Sequence, residues 1–224
     1  ALDTIRDTFS LEGNITPITF SLSQLHALLH DDTQLDSEEA IYKADIVKSG
    51  GVKRVWLEPV PTPNAAALDA IKTADVLIIC PGTLLSSIIP NFLVDGVKDA
   101  LCASTAKKIY VSNLINRQGH IEKDWTVLDH VEYLETFLTK NFFDSVIANT
   151  QKLTPEQQQV YGSEKIWVPS LSGMDSADRT IIGFPLLLPV EKANEHAADA
   201  LEHLRASVRH YPKRLARALE MVLS

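Results

Sequence analysis

The feature that most constrains the fold is the apolar run Val76-Leu77-Ile78-Ile79, which is followed at once by Cys80-Pro81-Gly82. A continuous aliphatic run of this length is typical of a strand buried on both faces of a parallel sheet. Proline and glycine end the run, and the hydroxyl residues Thr83, Ser86 and Ser87 come next. Open α/β sheets bind ligands in the loops beyond the carboxyl ends of their strands. The stretch therefore predicts a strand, a ligand-binding loop and a following helix.

The rest of the chain alternates between strand and helix patterns. Strands are predicted to begin near residues 52, 75, 107 and 145, and helices near 65, 90 and 127 lie between them. This alternation predicts an α/β fold with a doubly wound, mostly parallel, Rossmann-like sheet between two layers of helices. We expect a single domain over 1–224, with a smaller β-rich subregion at 14–50 and a helical pair at 193–223.

Two local predictions concern the first half of the chain. The run Ile41–Ile46 (IYKADI) is predicted to be a short strand. Asn64 follows three prolines and precedes an alanine-rich segment, so it is predicted to cap a helix over residues 65–74.

Composition excludes several classes of function. A formal net charge of −8 argues against a general nucleic-acid binder, because such proteins carry a basic patch or domain. There is no apolar run of about 18 residues, so no membrane-spanning helix is expected. The chain has only two cysteines, Cys80 and Cys102. We expect reduced thiols and a cytoplasmic location.

Loops after three predicted strands should meet at one edge of the sheet: residues 81–87, residues 113–120, and the residues after Asn149. In the first loop, backbone N–H groups near Gly82 and the hydroxyls of Thr83 and Ser86 are compatible with an anion cradle. The alternative is an ordinary turn with hydroxyl caps. Both interpretations stay open at this point.

The other polar candidates also have two interpretations each. Asn113 ends a strand, where it either hydrogen-bonds a base or sugar or caps a turn. Asp129 and His130 lie early in a predicted helix, where an acid is favoured by the helix dipole alone. Arg209 and His210 lie between two predicted helices, where a solvated junction is the plain alternative. The histidines are too scattered along the chain for a metal site to be predicted from spacing.

Two segments resemble the CofD-like family. Residues 81–94 read PGTLLSSIIPNFLV and are similar to that family's PGSLYTSIIPNLLV, after an alanine-aspartate strand start that matches Ala74-Asp75. Residues 108–114 read KIYVSNL and resemble its KVYVxNLM. Asp129-His130 and Arg209-His210 match further family positions. The chain is identified as a CofD-like protein, closer to the gluconeogenesis-factor branch than to the 2-phospho-L-lactate transferase branch.

The resemblance implies a nucleotide-diphosphate ligand and a set of residues around it. The gluconeogenesis-factor branch is associated with UDP-sugar binding and with roles in carbon-source use and cell shape. The transferase branch moves a phospholactyl group from a guanosine diphosphate-linked donor to a deazaflavin alcohol, with a divalent metal such as Mg²⁺. By resemblance, the ligand-binding residues are Pro81, Gly82, Thr83, Ser86, Asn113, Asp129, His130, Tyr161 and Arg209.

The sequence departs from the family pattern in several places. These 224 residues contain neither the family's Gly-Gly-Thr-Gly loop on a first strand nor the acidic pair that follows it. Tyr211 stands where the family has an aspartate after Arg209-His210. Three hypotheses follow: a UDP-sugar-binding regulatory protein, a transferase that uses a metal, or a relative that no longer binds ligand. An exposed sheet edge and a homo-oligomer are expected where a first strand would pack.

Overall fold

A computed structural model describes residue 8 and residues 13–117, 125–160, 166–173, 179–189 and 208–224. The described strands are β1 Gln24–Leu29, β2 Gln34–Leu35, β3 Val52–Glu58, β4 Val76–Ile79, β5 Lys107–Val111, β6 Asn116–Arg117, β7 Ser145–Asn149, β8 Ile166–Trp167 and β9 Thr180–Phe184. The described helices are α1 Glu38–Lys43, α2 Ala65–Thr73, a π-helical segment Leu84–Ile88, α3 Ile89–Phe92, α4 Val97–Ala103, α5 Val127–Phe137, α6 Pro155–Val160 and α7 Pro212–Leu223.

The main sheet has four parallel strands in the order β4-β5-β7-β9. The predicted α/β class and parallel sheet are therefore confirmed, as are the strands near 75, 107 and 145. The fourth strand is β9, from the apolar region that the sequence shows interrupted by Gly183 and Pro185. Gly183 suits this position because a Cβ there would lie 2.9 Å from the Thr150 Cγ2.

Alternation along the central strands produces three layers. In β5, Tyr110 faces one hydrophobic cluster, while Ile109 and Val111 face the other. The first cluster contains residues of α4 and α5, and the second contains residues of α7. Since successive side chains of a strand point to opposite faces, β5 and β7 are buried on both sides by helices.

The strand predicted near residue 52 does not join the parallel sheet. It is β3, and it pairs antiparallel with β1 in a separate sheet of order β2-β1-β3, with Leu25 opposite Leu57. Part of the predicted β-rich subregion thus forms this small sheet. Its strand β1 alternates between buried and less buried residues, as a sheet with one covered face does.

The predicted strand over Ile41–Ile46 is wrong, because this region begins with helix α1. The Ser37 hydroxyl accepts a hydrogen bond from the Ala40 N–H at 3.0 Å, and Glu38 and Glu39 occupy the first turn. An N-cap and acidic first-turn residues outweigh the strand propensity of the isoleucines. The predicted Asn64 cap of α2 is confirmed, since the Asn64 Oδ1 accepts from the Ala66 N–H at 3.1 Å.

Strand β4 is less buried than its sequence predicts. Three of its residues are half-buried and the Ile78 side chain is 40% exposed. Among the described strands β4 pairs only with β5, so it forms the predicted exposed edge of the sheet. The region after its loop was predicted as one helix up to Ala103, but Gly96, with φ of 70°, separates α3 from α4.

Some predictions lie outside the described residues. These are Tyr161 and nearly all of the first helix of the pair expected at 193–223. In the part of the chain that is described, no helix combines the length and apolarity needed to cross a membrane.

Candidate functional site

A cavity of about 630 Å³ lies between the small antiparallel sheet and the carboxyl edge of the parallel sheet. The small-sheet side contributes His30, Tyr42 and residues 46, 47 and 50–52. The opposite side consists of residues 81–85, after β4, and residues 113–116, after β5. Two of the three loops expected to converge therefore do so, at the position where open α/β sheets bind ligands.

Asn113 joins these two loops through a reciprocal pair of hydrogen bonds. Its Nδ2 donates to the Gly82 carbonyl, and its Oδ1 accepts from the Gly82 N–H, each at 2.9 Å. Both functional groups of the Asn113 amide are thus engaged with backbone. The structure supports the turn-capping interpretation of Asn113, and the Gly82 N–H is not available for the predicted anion cradle.

The remaining residues of the predicted cradle are arranged for packing within the loop. A Cβ on Gly82 would approach the Ser87 Cβ at 3.2 Å, so glycine allows the loop to fold closely over the π-helical segment. The Thr83 carbonyl accepts from the N–H groups of Ser87 and Ile88. Pro81, Gly82 and Thr83 line the cavity, whereas Ser86 is half-buried and does not.

Asp129 caps a helix and does not line the cavity. Thr126 and Asp129 form a capping box at the start of α5, in which the Asp129 Oδ2 accepts from the Thr126 N–H at 2.6 Å. The Asp129 N–H in turn donates to the Thr126 Oγ1 at 3.2 Å. The carboxylate is held by the helix terminus, outside the described lining of the cavity.

His130 is fully buried beneath Trp125, at a ring-centroid distance of 5.9 Å. Neither ring nitrogen has a hydrogen-bond partner. Burial lowers the pKa of His130 to about 4, and the Asp129 carboxylate opposes this only partly. The imidazole is therefore neutral at pH 7 and belongs to the core, outside the cavity lining.

Sequence reasoning missed Asn116 and the aromatic residues beside it. Asn116 is 1% exposed and lines the cavity, and its Nδ2 donates to the Trp125 carbonyl at 2.9 Å. Trp125 and Tyr133 line the same region, with ring centroids 5.3 Å apart. Burial raises the pKa of Tyr133 to about 12, so its hydroxyl stays neutral. The sequence shows only a second asparagine three residues after Asn113, and its burial is visible only in the structure.

His210 reaches the cavity from the C-terminal region. Leu187 and His210 form an antiparallel bridge, and the Tyr211 N–H donates to the Leu186 carbonyl at 2.7 Å, which ties this segment to the end of β9. Burial lowers the pKa of His210, and a hydrogen bond with the Ser112 backbone opposes that shift. Arg209, which the resemblance implicates, has an exposed side chain between two cavity-lining residues, Val208 and His210.

The described lining of the cavity carries no Lys, Arg, Asp or Glu side chain. Across the ranges that the structure describes, no group of three or more His, Cys, Asp or Glu side chains is placed to hold a metal ion. Mg²⁺ is held mainly by carboxylate oxygens and water. The described residues therefore do not fit the divalent metal that a transferase of this kind needs.

The model of the family described as 2-phospho-L-lactate transferase CofD matches residues 1–179, which include β4, β5 and both loops at the cavity. The chain belongs to the CofD family. The matched residues include the PGTLLSSIIPN loop, which carries the family resemblance and whose residues 81–85 line the cavity. A member of the upf0052 family from Bacillus halodurans has the same fold, with a TM-score of 0.79 at 24% identity over 97% of this chain and 65% of that one.

Relatives of this CofD-family chain are described as gluconeogenesis factors. It is 31% identical to a putative gluconeogenesis factor of Thermotoga maritima over 99% of this chain and 66% of that protein. It is also 31% identical to the gluconeogenesis factor of Halalkalibacterium halodurans, over 70% of this chain and 47% of that protein. The chain thus spans about half to two thirds of the length of these curated relatives.

Proposed function

We propose that this CofD-family chain belongs to a cytoplasmic regulatory protein that binds a nucleotide sugar of the UDP class. In this proposal the bound nucleotide sugar influences carbon metabolism or control of the cell envelope and cell shape. The similarity to gluconeogenesis factors supports the assignment to a regulatory role. The observation that carries the binding proposal is the 630 Å³ cavity at the carboxyl edge of the parallel sheet.

The size and position of the cavity support a ligand of nucleotide size. Small-molecule sites in proteins typically enclose about 300–1,000 Å³. Residues 81–85 of the loop that resembles the family motif form part of this lining. Asn113 fixes that loop to the end of β5, so the two loops present one shaped surface to a ligand.

The diphosphate of such a ligand needs a positive partner, and Arg209 is the candidate. Its exposed side chain lies between two cavity-lining residues, and guanidinium groups pair well with phosphate oxygens. The Thr83 hydroxyl, on an exposed residue at the cavity, is the candidate neutral donor. The Gly82 N–H already donates to Asn113, so it is not a donor for the ligand. The role of Gly82 is to let the loop pack closely.

Isothermal titration calorimetry with UDP-N-acetylglucosamine tests the proposal. We expect micromolar binding by the wild-type chain and a loss of about tenfold or more in Arg209→Ala, since a charge-assisted bond to phosphate contributes on the order of 1.5–3 kcal/mol. Lys53→Ala is the matched control, because Lys53 pairs with Asp32 on the exposed part of the small sheet. Absence of binding to any UDP-sugar, in a folded sample, would contradict the proposal.

The second candidate function is a 2-phospho-L-lactate transferase-like activity, which the description of the matching family favours. It predicts tight binding of a guanosine nucleotide, together with turnover of a deazaflavin alcohol in the presence of Mg²⁺. The lack of carboxylates in the described lining weighs against it. A chain that binds neither class of nucleotide corresponds to the third hypothesis, a relative that keeps the fold alone.

A further inference from the structure

One polar atom at the cavity has no partner in the protein. The Asn116 Oδ1 is buried and accepts no hydrogen bond, although the Nδ2 of the same amide donates to the Trp125 carbonyl. The indole N–H of Trp167, which lies opposite Asn116 across β6 and β8, also lacks a partner, so it does not donate to this oxygen. An unsatisfied buried acceptor is destabilising, and a hydrogen-bond donor on a ligand would remove that cost.

A second acceptor lies on the same cavity. The His210 Nε2 is buried without a partner, while the ring interacts with the Ser112 backbone carbonyl. In the tautomer that carries its proton on Nδ1, the His210 Nε2 keeps its lone pair. Asn116 and His210 therefore both offer an unpaired acceptor at a site whose described lining has no charged side chain.

The rest of this lining is suited to flat, uncharged groups. Tyr42, Trp125 and Tyr133 contribute aromatic rings, and the Tyr133 hydroxyl stays neutral because burial raises its pKa to about 12. Aromatic side chains provide faces on which nucleobases stack favourably. A diphosphate, by contrast, would lie against unpaired acceptors and would gain nothing there.

We propose that the cavity holds the nucleoside end of the ligand, whose N–H or O–H donors reach the Asn116 Oδ1 and the His210 Nε2, and that the diphosphate lies outside, toward Thr83 and Arg209. This inference rests on the proposed function and refines it. The class of ligand group is an uncharged ring system with hydrogen-bond donors on its edge. Both acceptors are buried in the structure, so the proposal requires the Asn116 and His210 side chains to rotate when the ligand binds.

Calorimetry with uridine, UDP-N-acetylglucosamine and inorganic pyrophosphate tests whether the cavity holds the nucleoside end of the ligand. Asn116→Leu and His210→Phe remove the acceptors while keeping similar volume. We expect each variant to weaken uridine and UDP-N-acetylglucosamine by about tenfold or more, with pyrophosphate affinity unchanged. His26→Phe is the matched control, because His26 stacks on Trp56 and does not line the cavity. Thermal unfolding of each variant shows whether the fold persists.

The outcomes separate this inference from the proposed function. Wild-type binding of UDP-N-acetylglucosamine that both folded variants retain overturns the nucleoside assignment and leaves the proposed function standing. Variants that lose pyrophosphate affinity as much as uridine affinity also overturn it, because the diphosphate would then occupy the cavity. If the wild-type chain binds no nucleotide sugar at all, the proposed function and this inference fail together.

Discussion

The two sheets that flank the cavity each carry an ion pair, and the two pairs differ in their exposure to solvent. On the parallel-sheet side, Glu135 of α5 and Arg179, just before β9, form an ion pair in which each side chain is 6% exposed. On the small-sheet side, Lys53 pairs with Asp32 while their side chains are 51% and 77% exposed. The first pair is desolvated and the second is solvated, although both N–O distances are 3.0 Å.

This difference teaches where the fold is fixed and where it can adapt. The Glu135 carboxylate also accepts from the N–H groups of Asn141 and Phe143, so it joins α5 to the start of β7 and, through Arg179, to β9. Exposed pairs such as Lys53 with Asp32 contribute little to stability. We therefore expect the parallel-sheet side of the cavity to be the rigid one, and the small sheet to be the side that responds to ligand.

The largest expected effect is the loss of the buried ion pair. Arg179→Ala leaves the Glu135 carboxylate buried without its charged partner, so the free energy of unfolding should fall by about 3–5 kcal/mol. Urea unfolding at pH 7 measures this loss in the free energy of unfolding. Lys53→Ala, which removes the exposed pair, should unfold at nearly the wild-type urea concentration. Equal losses in the two variants would remove the distinction between the two sides.

The next effect depends on pH and concerns His130, a buried residue of α5. Burial lowers its folded pKa from 6.5 to about 4, so the unfolded chain binds more protons between these values. The contribution of His130 to the free energy of unfolding is therefore fully present above about pH 6.5. It is lost as the pH drops toward 4, and the loss from this residue is at most about 3 kcal/mol. His130→Phe should flatten that part of the profile in urea unfolding measured at several pH values. An unchanged slope in a variant that folds at pH 7 would show that His130 is not responsible.

A smaller effect is expected at the loop junction of the cavity. Asn113→Ala removes both hydrogen bonds to Gly82 and leaves a part-buried N–H and carbonyl unpaired, so unfolding should become easier by about 1–3 kcal/mol. Ligand affinity should fall as well, because the loop loses its anchor. Asn91→Ala is the control on the same segment, since the exposed Asn91 side chain only donates to helical carbonyls. Similar losses in both variants would contradict the anchoring role.

The smallest effect compares two helix caps. Thr126 belongs to a capping box at the start of α5, which packs on the parallel sheet, and Ser37 caps the short α1 beside the small sheet. Thr126→Ala should cost about 1 kcal/mol, within the range for cap removal. Ser37→Ala should cost less in global unfolding, because α1 is short and mostly exposed. Thermal unfolding of both variants measures the difference, and a larger loss for Ser37→Ala would reverse the assignment of the rigid side.

Local patterns predicted the parallel sheet well, because its strands carry their own signal. The apolar runs of β4, β5 and β7 were sufficient to place three strands, and the helix predicted near residue 127 is α5. Pairing was harder to predict, since it depends on partners far along the chain. Nothing in Val52–Glu58 distinguishes a parallel strand from one that pairs antiparallel with β1, and Ile41–Ile46 has strand-like residues that the Ser37 cap converts into a helix.

The candidate site was predicted by position more than by residue. The sheet edge and the loops at Gly82 and Asn113 lie at the cavity, and their part in ligand binding stays a prediction. Asp129 caps α5, and a helix-capping acid and a ligand-facing acid look alike in sequence. Asn116 was missed because its interest lies in a buried Oδ1 that accepts no hydrogen bond, and only the folded structure shows that.

The most direct test of the cavity as ligand site is hydrogen exchange with and without UDP-N-acetylglucosamine, followed by mass spectrometry. We expect the strongest new protection in peptides that cover residues 46–52, on the small-sheet side, and residues 81–85 and 113–116 opposite. Peptides from β7, whose residues are all buried, should show no change. Ligand binding with protection confined to regions away from these segments would contradict the account.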